Sequence, residues 1–454
     1  MRFLTRRGPW IAVFALLVGA APIARAGGKP EERAPGPASK GEIYSSKSSD
    51  GLPFYYYVPK GYDPKVGANL TFILHGSNLD RGWGFANHEA GAFRPDDVVV
   101  CPDGTTSNGQ GGHNFLQSDK DLKRLHALHD DLKKAFKVRA TFVYGHSQGS
   151  FFAFYYAGAY PDDVQGVLGQ ASGTWIGTEA TAKHHHQAVA LMHGTADPVV
   201  GYGQSVGGLD FYLQAKYPIL HLRSLENWNH WPNQDQAAQE LAWCEGMTSA
   251  EPARVVASYE HLVGVKEWHD WSVLYQVAKR LSDLEGAPGD ARKKASETAA
   301  AVDRLGKKNV DAIAKSLGKE KGDKIVDAPW VALLPTFLRD FEGVPSAGTL
   351  EATLKDRFEK QQTEAQKNLR EYYRVREKDP AKAFDAGVEA VRVGFLYWEC
   401  ADGVFLDALA KGKDDKKLKL SKASLKAYDQ VVVPFVAARA SGLKEFLSLN
   451  KSLD

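Results

Sequence analysis

Between Glu42 and about Gly246 the chain alternates short apolar runs with amphipathic stretches. Runs near 43–47, 54–58, 70–75, 97–101, 140–144, 166–170, 188–193 and 219–225 are bounded by turn residues and predict strands. Between them, 118–136, 148–159, 204–215 and 234–246 carry apolar residues at helical spacing and predict helices. Strands joined by helix-length crossovers make βαβ units, so the expected architecture is α/β, a mainly parallel sheet flanked by helices. Past Thr248-Ser249-Ala250-Glu251-Pro252 the texture changes. Residues 254–454 are rich in Ala, Lys, Glu, Leu and Arg, with charged amphipathic stretches at 294–317 and 351–376. This predicts an all-α C-terminal domain, whose aromatic side chains such as Tyr259, Trp271 and Phe337 belong to its core.

The chain's first 41 residues fall outside that pattern. Arg2, Arg6 and Arg7 precede the apolar stretch from Trp10 to Ala20, and Ala24-Arg25-Ala26 offers a cleavage site between small residues. Residues 1–26 therefore predict a signal peptide and an exported protein, periplasmic or secreted. The apolar stretch is shorter than the roughly 20 residues of a spanning helix, so no stable membrane span is expected after its removal. Residues 27–41, with Lys29-Pro30-Glu31-Glu32-Arg33-Ala34-Pro35-Gly36-Pro37, show no apolar periodicity and predict a flexible linker. That leaves 42–250 and 254–454 as the folded domains.

Charge and cysteine content exclude several partners. Loss of residues 1–26 removes four arginines and no acid, taking the formal charge from +2 to −2. Nucleic acid calls for a strong basic excess, which this balance lacks. Cys101, Cys244 and Cys400 are too few and too spread for a disulfide framework or a zinc motif, and Cys101, ending an apolar run, is expected to be buried. The adjacent side chains of His184-His185-His186 point in different directions. His126 and His129 share a helix face at a spacing unlike a zinc-protease helix, so no metal is expected.

The chemistry centres on Ala140-Thr141-Phe142-Val143-Tyr144-Gly145-His146-Ser147-Gln148-Gly149. A buried strand that ends at Ser147 and restarts as a helix mounts the hydroxyl on a tight turn, with glycines where side chains would collide. The same Gly-x-Ser-x-Gly pattern recurs at Gly203-Gln204-Ser205-Val206-Gly207, but after a glycine-rich loop with no strand, so Ser205 reads as a loop or helix-start serine. A serine hydroxyl needs a base to take its proton and a third group to orient that base. Asp197 follows the strand Ala188-Val189-Ala190-Leu191-Met192-His193, and His230 lies in the loop after the strand 219–225. Both belong to the strand ends where open parallel sheets build their sites. His193 is expected to brace the acid loop and His221, inside its strand, to serve packing. Two backbone N–H groups are expected to stabilise an oxyanion: Gln148, which opens the helix, and Ser77, which follows His75-Gly76. The glycine-rich stretch Asn108-Gly109-Gln110-Gly111-Gly112-His113-Asn114 lacks the Lys-Ser/Thr of a phosphate loop and reads as part of the site's rim. Trp175, Trp228 and Trp231 are expected around an open cleft.

His75-Gly76-Ser77, Gly145-His146-Ser147-Gln148-Gly149 and His193-Gly194-Thr195-Ala196-Asp197-Pro198-Val199-Val200 together resemble the α/β-hydrolases of the phospholipase/carboxylesterase and polyhydroxybutyrate-depolymerase-like branches, over about residues 50–246. The resemblance implies an α/β-hydrolase domain and a serine hydrolase of carboxylic esters, small or polymeric, working without metal or organic cofactor. Asn229 stands before His230 where the family usually has a glycine. Residues 254–454 have no counterpart in simple esterases, which leaves two further readings open. One is a non-catalytic hydrolase-like binding protein whose helical region contacts a surface or partner, with a polymer or the cell envelope as an expected contact of that region. The other is an acyltransferase or peptidase using the same three residues.

Overall fold

The computed structural model describes residues 30–265, 270–317, 333–394, 397–451 and 453, so the expected signal peptide of 1–26 lies outside the described residues. Eight strands form one sheet: β1 (Ile43–Lys47), β2 (Pro53–Tyr57), β3 (Ala68–Leu74), β4 (Asp97–Pro102), β7 (Val138–His146), β8 (Gly166–Gln170), β9 (Ala188–Gly194) and β10 (Leu220–Leu225), in the order β1-β2-β4-β3-β7-β8-β9-β10. A small hairpin of β5 (Thr106–Ser107) and β6 (His113–Asn114) stands apart. Within the eight-stranded sheet β2 alone runs against its neighbours; from β4 onward every pairing is parallel. Strands β3, β4, β8 and β9 are buried along their whole length, which is why each is a continuous apolar run rather than an alternating one.

The α/β half carries α1 (Arg81–Asn87), α2 (Ala90–Phe93), α3 (Asp119–Ala135), α4 (Gln148–Ala159), α5 (Gly203–Gln214) and α6 (Gln234–Thr248). Among the described residues beyond 250 the elements are helical, as expected: α7 (Pro252–Val263), α8 (Trp271–Asp283), α9 (Gly289–Leu317), α10 (Leu334–Asp340), α11 (Pro345–Val375), α12 (Pro380–Val393), α13 (Gly403–Asp414) and α14 (Lys422–Leu449). The change of texture near 250 does not separate two cores. One buried cluster runs from Phe142, Leu168 and Ala190 of the sheet through Trp243 and Cys244 of α6 to Trp271, Phe337, Phe384 and Phe435. All three cysteines are free and buried.

The described part of the expected flexible linker is held in place. Ser45 donates its backbone N–H to Glu31 and accepts one from Arg33, Lys40 pairs with Val58, and the Tyr56 hydroxyl meets that of Ser39 at 3.0 Å. The cause is the edge strand β1, whose unpaired backbone groups bind a polar segment as readily as an apolar one.

A buried ionic network clips the two halves together. Arg94 reaches Asp97 at 2.6 Å and Glu245 at 2.8 Å, Arg254 reaches Glu245 at 2.7 Å, and Asn69 donates to Glu245 at 2.8 Å. Burial pushes the Glu245 carboxyl up, but Arg94 and Arg254 outweigh it and hold it at about 2, below the ordinary 4.5. Because the folded-state value is depressed, the network's contribution is complete above about pH 5 and drains away as pH falls from about 4.5 toward 2. Glu245→Gln is therefore expected to lower the unfolding free energy at pH 7 by about 3 kcal/mol, as for a broken buried pair, and to flatten the fall in stability below pH 5. Urea titrations of both proteins from pH 7 to 3 check this; parallel pH curves would refute it.

His221 departs from its expected packing role. Its Nδ1 lies 2.8 Å from Glu240 and its Nε2 3.2 Å from Asp270, all three fully buried. Burial opposes its charged form, yet the two carboxylates prevail and raise its pKa well above the usual histidine value. The imidazole ties β10 to α6 and to the start of α8. A lone histidine in an apolar strand gives no hint of partners that arrive 19 and 49 residues later in the chain.

Candidate active site

The carboxyl ends of β3, β7, β8, β9 and β10 deliver the sequence-predicted residues to one edge of the sheet. At the end of β7, Ser147 adopts φ 53° and ψ −122°, a conformation an L-residue occupies only under constraint, at a cost of about 1–3 kcal/mol. Its N–H donates to the carbonyl of Gln170 at 2.9 Å, and α4 begins at the next residue. The flanking glycines are dictated by space. A Cβ on Gly145 would fall 2.3 Å from the carbonyl oxygen of Gly149, and one on Gly149 would fall 2.4 Å from those of Leu74 and His75. Ser147 is the N-cap of α4, but its hydroxyl makes no capping bond and has no hydrogen-bond partner among the described residues. Ser205 is different: it is fully buried inside α5, and its hydroxyl is engaged by Ser172 and His193.

Asp197 and His230 are brought together. The imidazole Nδ1 stands 2.7 Å from Asp197 Oδ2, while Asp197 Oδ1 accepts the N–H groups of Val199 and Val200 at 2.8 and 2.9 Å. Burial raises the Asp197 carboxyl, but hydrogen bonds from His193 and His230 outweigh it and hold the group far below the usual carboxylate range. His193 braces the acid loop as expected, with Nε2 2.8 Å from the Val200 carbonyl and 3.2 Å from Asp197.

With Nδ1 on Asp197, His230 has Nε2 as the imidazole nitrogen that the carboxylate does not engage. Its ring centre lies 4.9 Å from that of His146, the residue before Ser147, although no hydrogen bond joins it to the Ser147 hydroxyl in this structure. Asn229 takes the place of the familiar glycine in a loop closed by its own bonds. Asn227 adopts the left-handed φ of 57°, Trp231 donates its N–H to Asn229 Oδ1 at 3.0 Å, and the Trp228 indole donates to the Trp231 carbonyl at 2.8 Å. Glycine is required instead at 194, where a Cβ would meet the Trp228 carbonyl at 2.2 Å.

The oxyanion donors expected from sequence flank the serine. A Cβ on Gly76 would stand 3.3 Å from that of Ser147, so the loop after β3 lies against the elbow. The N–H groups of Ser77 and Gln148 have no partner among the described residues. His75 orients the first of them. Burial lowers its pKa to about 4, so the ring is neutral; Nε2 accepts from Gly104 at 2.9 Å, and Nδ1–H donates to the Gly76 carbonyl at 2.7 Å. In a trans peptide the N–H points opposite the carbonyl, so fixing that oxygen fixes the Ser77 N–H. The β5–β6 hairpin forms the rim as expected, with Asn114 Oδ1 accepting from the Asn78 N–H at 3.1 Å.

Sequence reasoning missed two side chains that hold the His230 loop by its backbone. His146, kept neutral by burial and the neighbouring His230 with a pKa lowered to about 3, donates Nε2–H to the His230 carbonyl at 2.7 Å. Gln170 donates to the Trp231 carbonyl at 3.0 Å and accepts from the Tyr144 hydroxyl at 2.8 Å. Their available signal was a polar residue closing each of two adjacent apolar strands. Trp228 and Trp231 are part-exposed beside His230, whereas Trp175 packs on Phe151 of α4, ring centres 6.0 Å apart.

Among the described residues, two groups have metal-like spacing. His221, Glu240 and Asp270 are one, but Arg223 is bonded to Glu240 at 3.1 Å and supplies the cation there. His126, His129 and Asp163 are the other, where Lys133 is bonded to Asp163 at 2.9 Å. In the His184-His185-His186 run each Nε2 faces a different backbone carbonyl, those of Gly158, Ala215 and Pro161.

Residues 105–231 match the family model of phospholipases and carboxylesterases. No curated protein matches the chain. Among solved structures, a thermostable esterase shares 16% identity over 41% of this chain and 54% of its own, with a TM-score of 0.33; this chain thus spans about half of it. The Bacillus cereus carboxylesterase shares 16% identity over 43% of this chain and 94% of its own, TM-score 0.35. An S954A mutant of the feruloyl esterase module from Clostridium thermocellum, complexed with sinapinate, shares 14% over 45% and 89%, TM-score 0.35. With the sheet order and the family match, the N-terminal half has the α/β-hydrolase fold, followed by a helical half that the family model leaves unmatched.

Proposed function

We propose that this α/β-hydrolase is an exported serine esterase in which Ser147, His230 and Asp197 cleave carboxylic esters through an acyl-enzyme. Ser147 Oγ attacks the ester carbonyl as His230 Nε2 takes its proton, and Asp197 keeps the opposite imidazole N–H in place. The N–H groups of Ser77 and Gln148 hold the oxyanion. Its collapse expels the alcohol, protonated by His230. Water, deprotonated by the same nitrogen, then attacks the acyl-Ser147 ester and releases the carboxylic acid and the free hydroxyl.

The observation that carries this reading is the constrained Ser147 turn beside an imidazole held by a buried carboxylate. Export rests on the sequence of residues 1–26 alone. The mature chain is expected to react with a fluorophosphonate probe, with the adduct on the Ser147 peptide and none on Ser205, and to hydrolyse short p-nitrophenyl esters. Mass spectrometry of the digested adduct checks it; a chain that neither labels nor turns over these esters would sink the proposal.

A further inference from the structure

The helices beyond 250 reach back to the two loops that carry Asp197 and His230. Glu226 opens the His230 loop and is almost fully buried. Its carboxylate is held by Arg439 of α14 and by the Thr336 hydroxyl of α10 at 3.0 Å. Arg439 donates from its other terminal nitrogen to the Ala401 carbonyl at 2.9 Å, two residues before the start of α13. There Gly403 donates its N–H to the carbonyl of Thr195 at 2.9 Å, in the acid loop. The approach is close: a Cβ on Gly403 would lie 3.0 Å from that of Ala196 and 3.2 Å from the Thr195 oxygen. A third tie runs from Arg339 of α10 to the Ser224 hydroxyl at 2.9 Å, at the end of β10.

We infer that the helical half positions the active site, with Arg439 as the positioning residue that joins the base loop at Glu226 to the acid loop through Ala401 and Gly403. This rests on the assignment of Asp197 and His230 proposed above. Neither loop has a long element of its own to stiffen it. The distance between Asp197 Oδ2 and His230 Nδ1 is set by how the two backbones are anchored, one end by the sheet and the other by α13 and α14. Breaking the Arg439 bridge leaves the Glu226 carboxylate buried without its guanidinium, which forces the first turn of the His230 loop toward solvent. A displacement of about 1 Å in a proton-transfer pair can cost about 100-fold in rate.

The test uses the full chain in four forms: unmodified, Arg439→Met, Arg439→Lys and Gly403→Ala. The alanine adds a methyl that presses on Ala196 without deleting an interaction, so it keeps the question open to measurement if Arg439→Met does not fold. Melting temperature, fluorophosphonate labelling rate, kcat and KM on a short ester, and amide exchange over 195–200 and 226–231 are measured together. We expect Arg439→Met and Gly403→Ala to melt cooperatively, to exchange faster in those two loops but not in β3 or β7, and to lose about 10- to 100-fold in labelling rate and kcat with KM nearly unchanged. Arg439→Lys should recover much of the loss. Folded Arg439→Met and Gly403→Ala proteins that label and turn over like the unmodified chain overturn the inference. If the unmodified chain does not label, the esterase proposal fails, and the exchange data still decide whether the helices hold the loops.

Discussion

Ser147→Ala should reduce ester hydrolysis by at least about 10⁴-fold, because in the proposed mechanism the nucleophile, the base and its orienting carboxylate act as a unit. The loss should fall on kcat, with substrate still bound, and fluorophosphonate labelling should vanish. Stability should barely change, since the Ser147 hydroxyl bonds to no described residue and alanine meets the same backbone constraint at φ 53°. Ser147→Gly should be equally inactive yet more stable by about 1 kcal/mol, because glycine enters that region without a Cβ penalty. Opposite signs for activity and stability at one residue would mark a turn strained for chemistry. An alanine variant retaining a tenth of the activity would refute the nucleophile assignment.

Asp197→Asn should be nearly as severe, at about 10⁴-fold in kcat, with the loop still formed. An asparagine can present its carbonyl to the N–H groups of Val199 and Val200, which now bond to Oδ1. Its amide nitrogen would then replace Oδ2 at 2.7 Å from His230 Nδ1 and turn an acceptor into a donor. The imidazole must answer with its other tautomer, protonated at Nε2, where it can no longer accept the proton of Ser147. The ionised carboxylate also stabilises the fold: its folded-state pKa is depressed, so the contribution is present at neutral pH and is lost only as pH falls below the ordinary carboxylate range. Steady-state kinetics at pH 8 with thermal melts decide the matter; a variant within tenfold of the unmodified kcat would remove Asp197 from the mechanism.

Strands β3, β4, β8 and β9 were legible because burial on both faces writes a strand as a continuous apolar run, and α3 because its buried face recurs with a 3.6-residue period. The short α1 and α2 and the β5–β6 hairpin were not, since elements of two to seven residues are too brief to show a period. Ser147 was legible in its local setting, because a nucleophile turn compresses strand, glycines and helix start into five residues. The anchoring of His230 was not. His146 and Gln170 hold its loop through backbone carbonyls, and a carbonyl leaves no trace in the identity of the residue that bears it.

The sequence by itself determined the strands of the main sheet and the longer helices, where the chain changes character near 250, and which serine stands on an elbow. These follow from periodicity and from steric demands within a few residues. Tertiary structure alone decided that residues 31–33 pair with β1 while Lys40 and Gly41 meet Val58, that His221 is an ionic junction, and that Arg439 meets Glu226 across 213 residues of chain. Such pairings depend on where distant backbones converge, and a buried charge is tolerated only where a partner meets it, so its meaning is fixed by the fold and not by its neighbours in sequence.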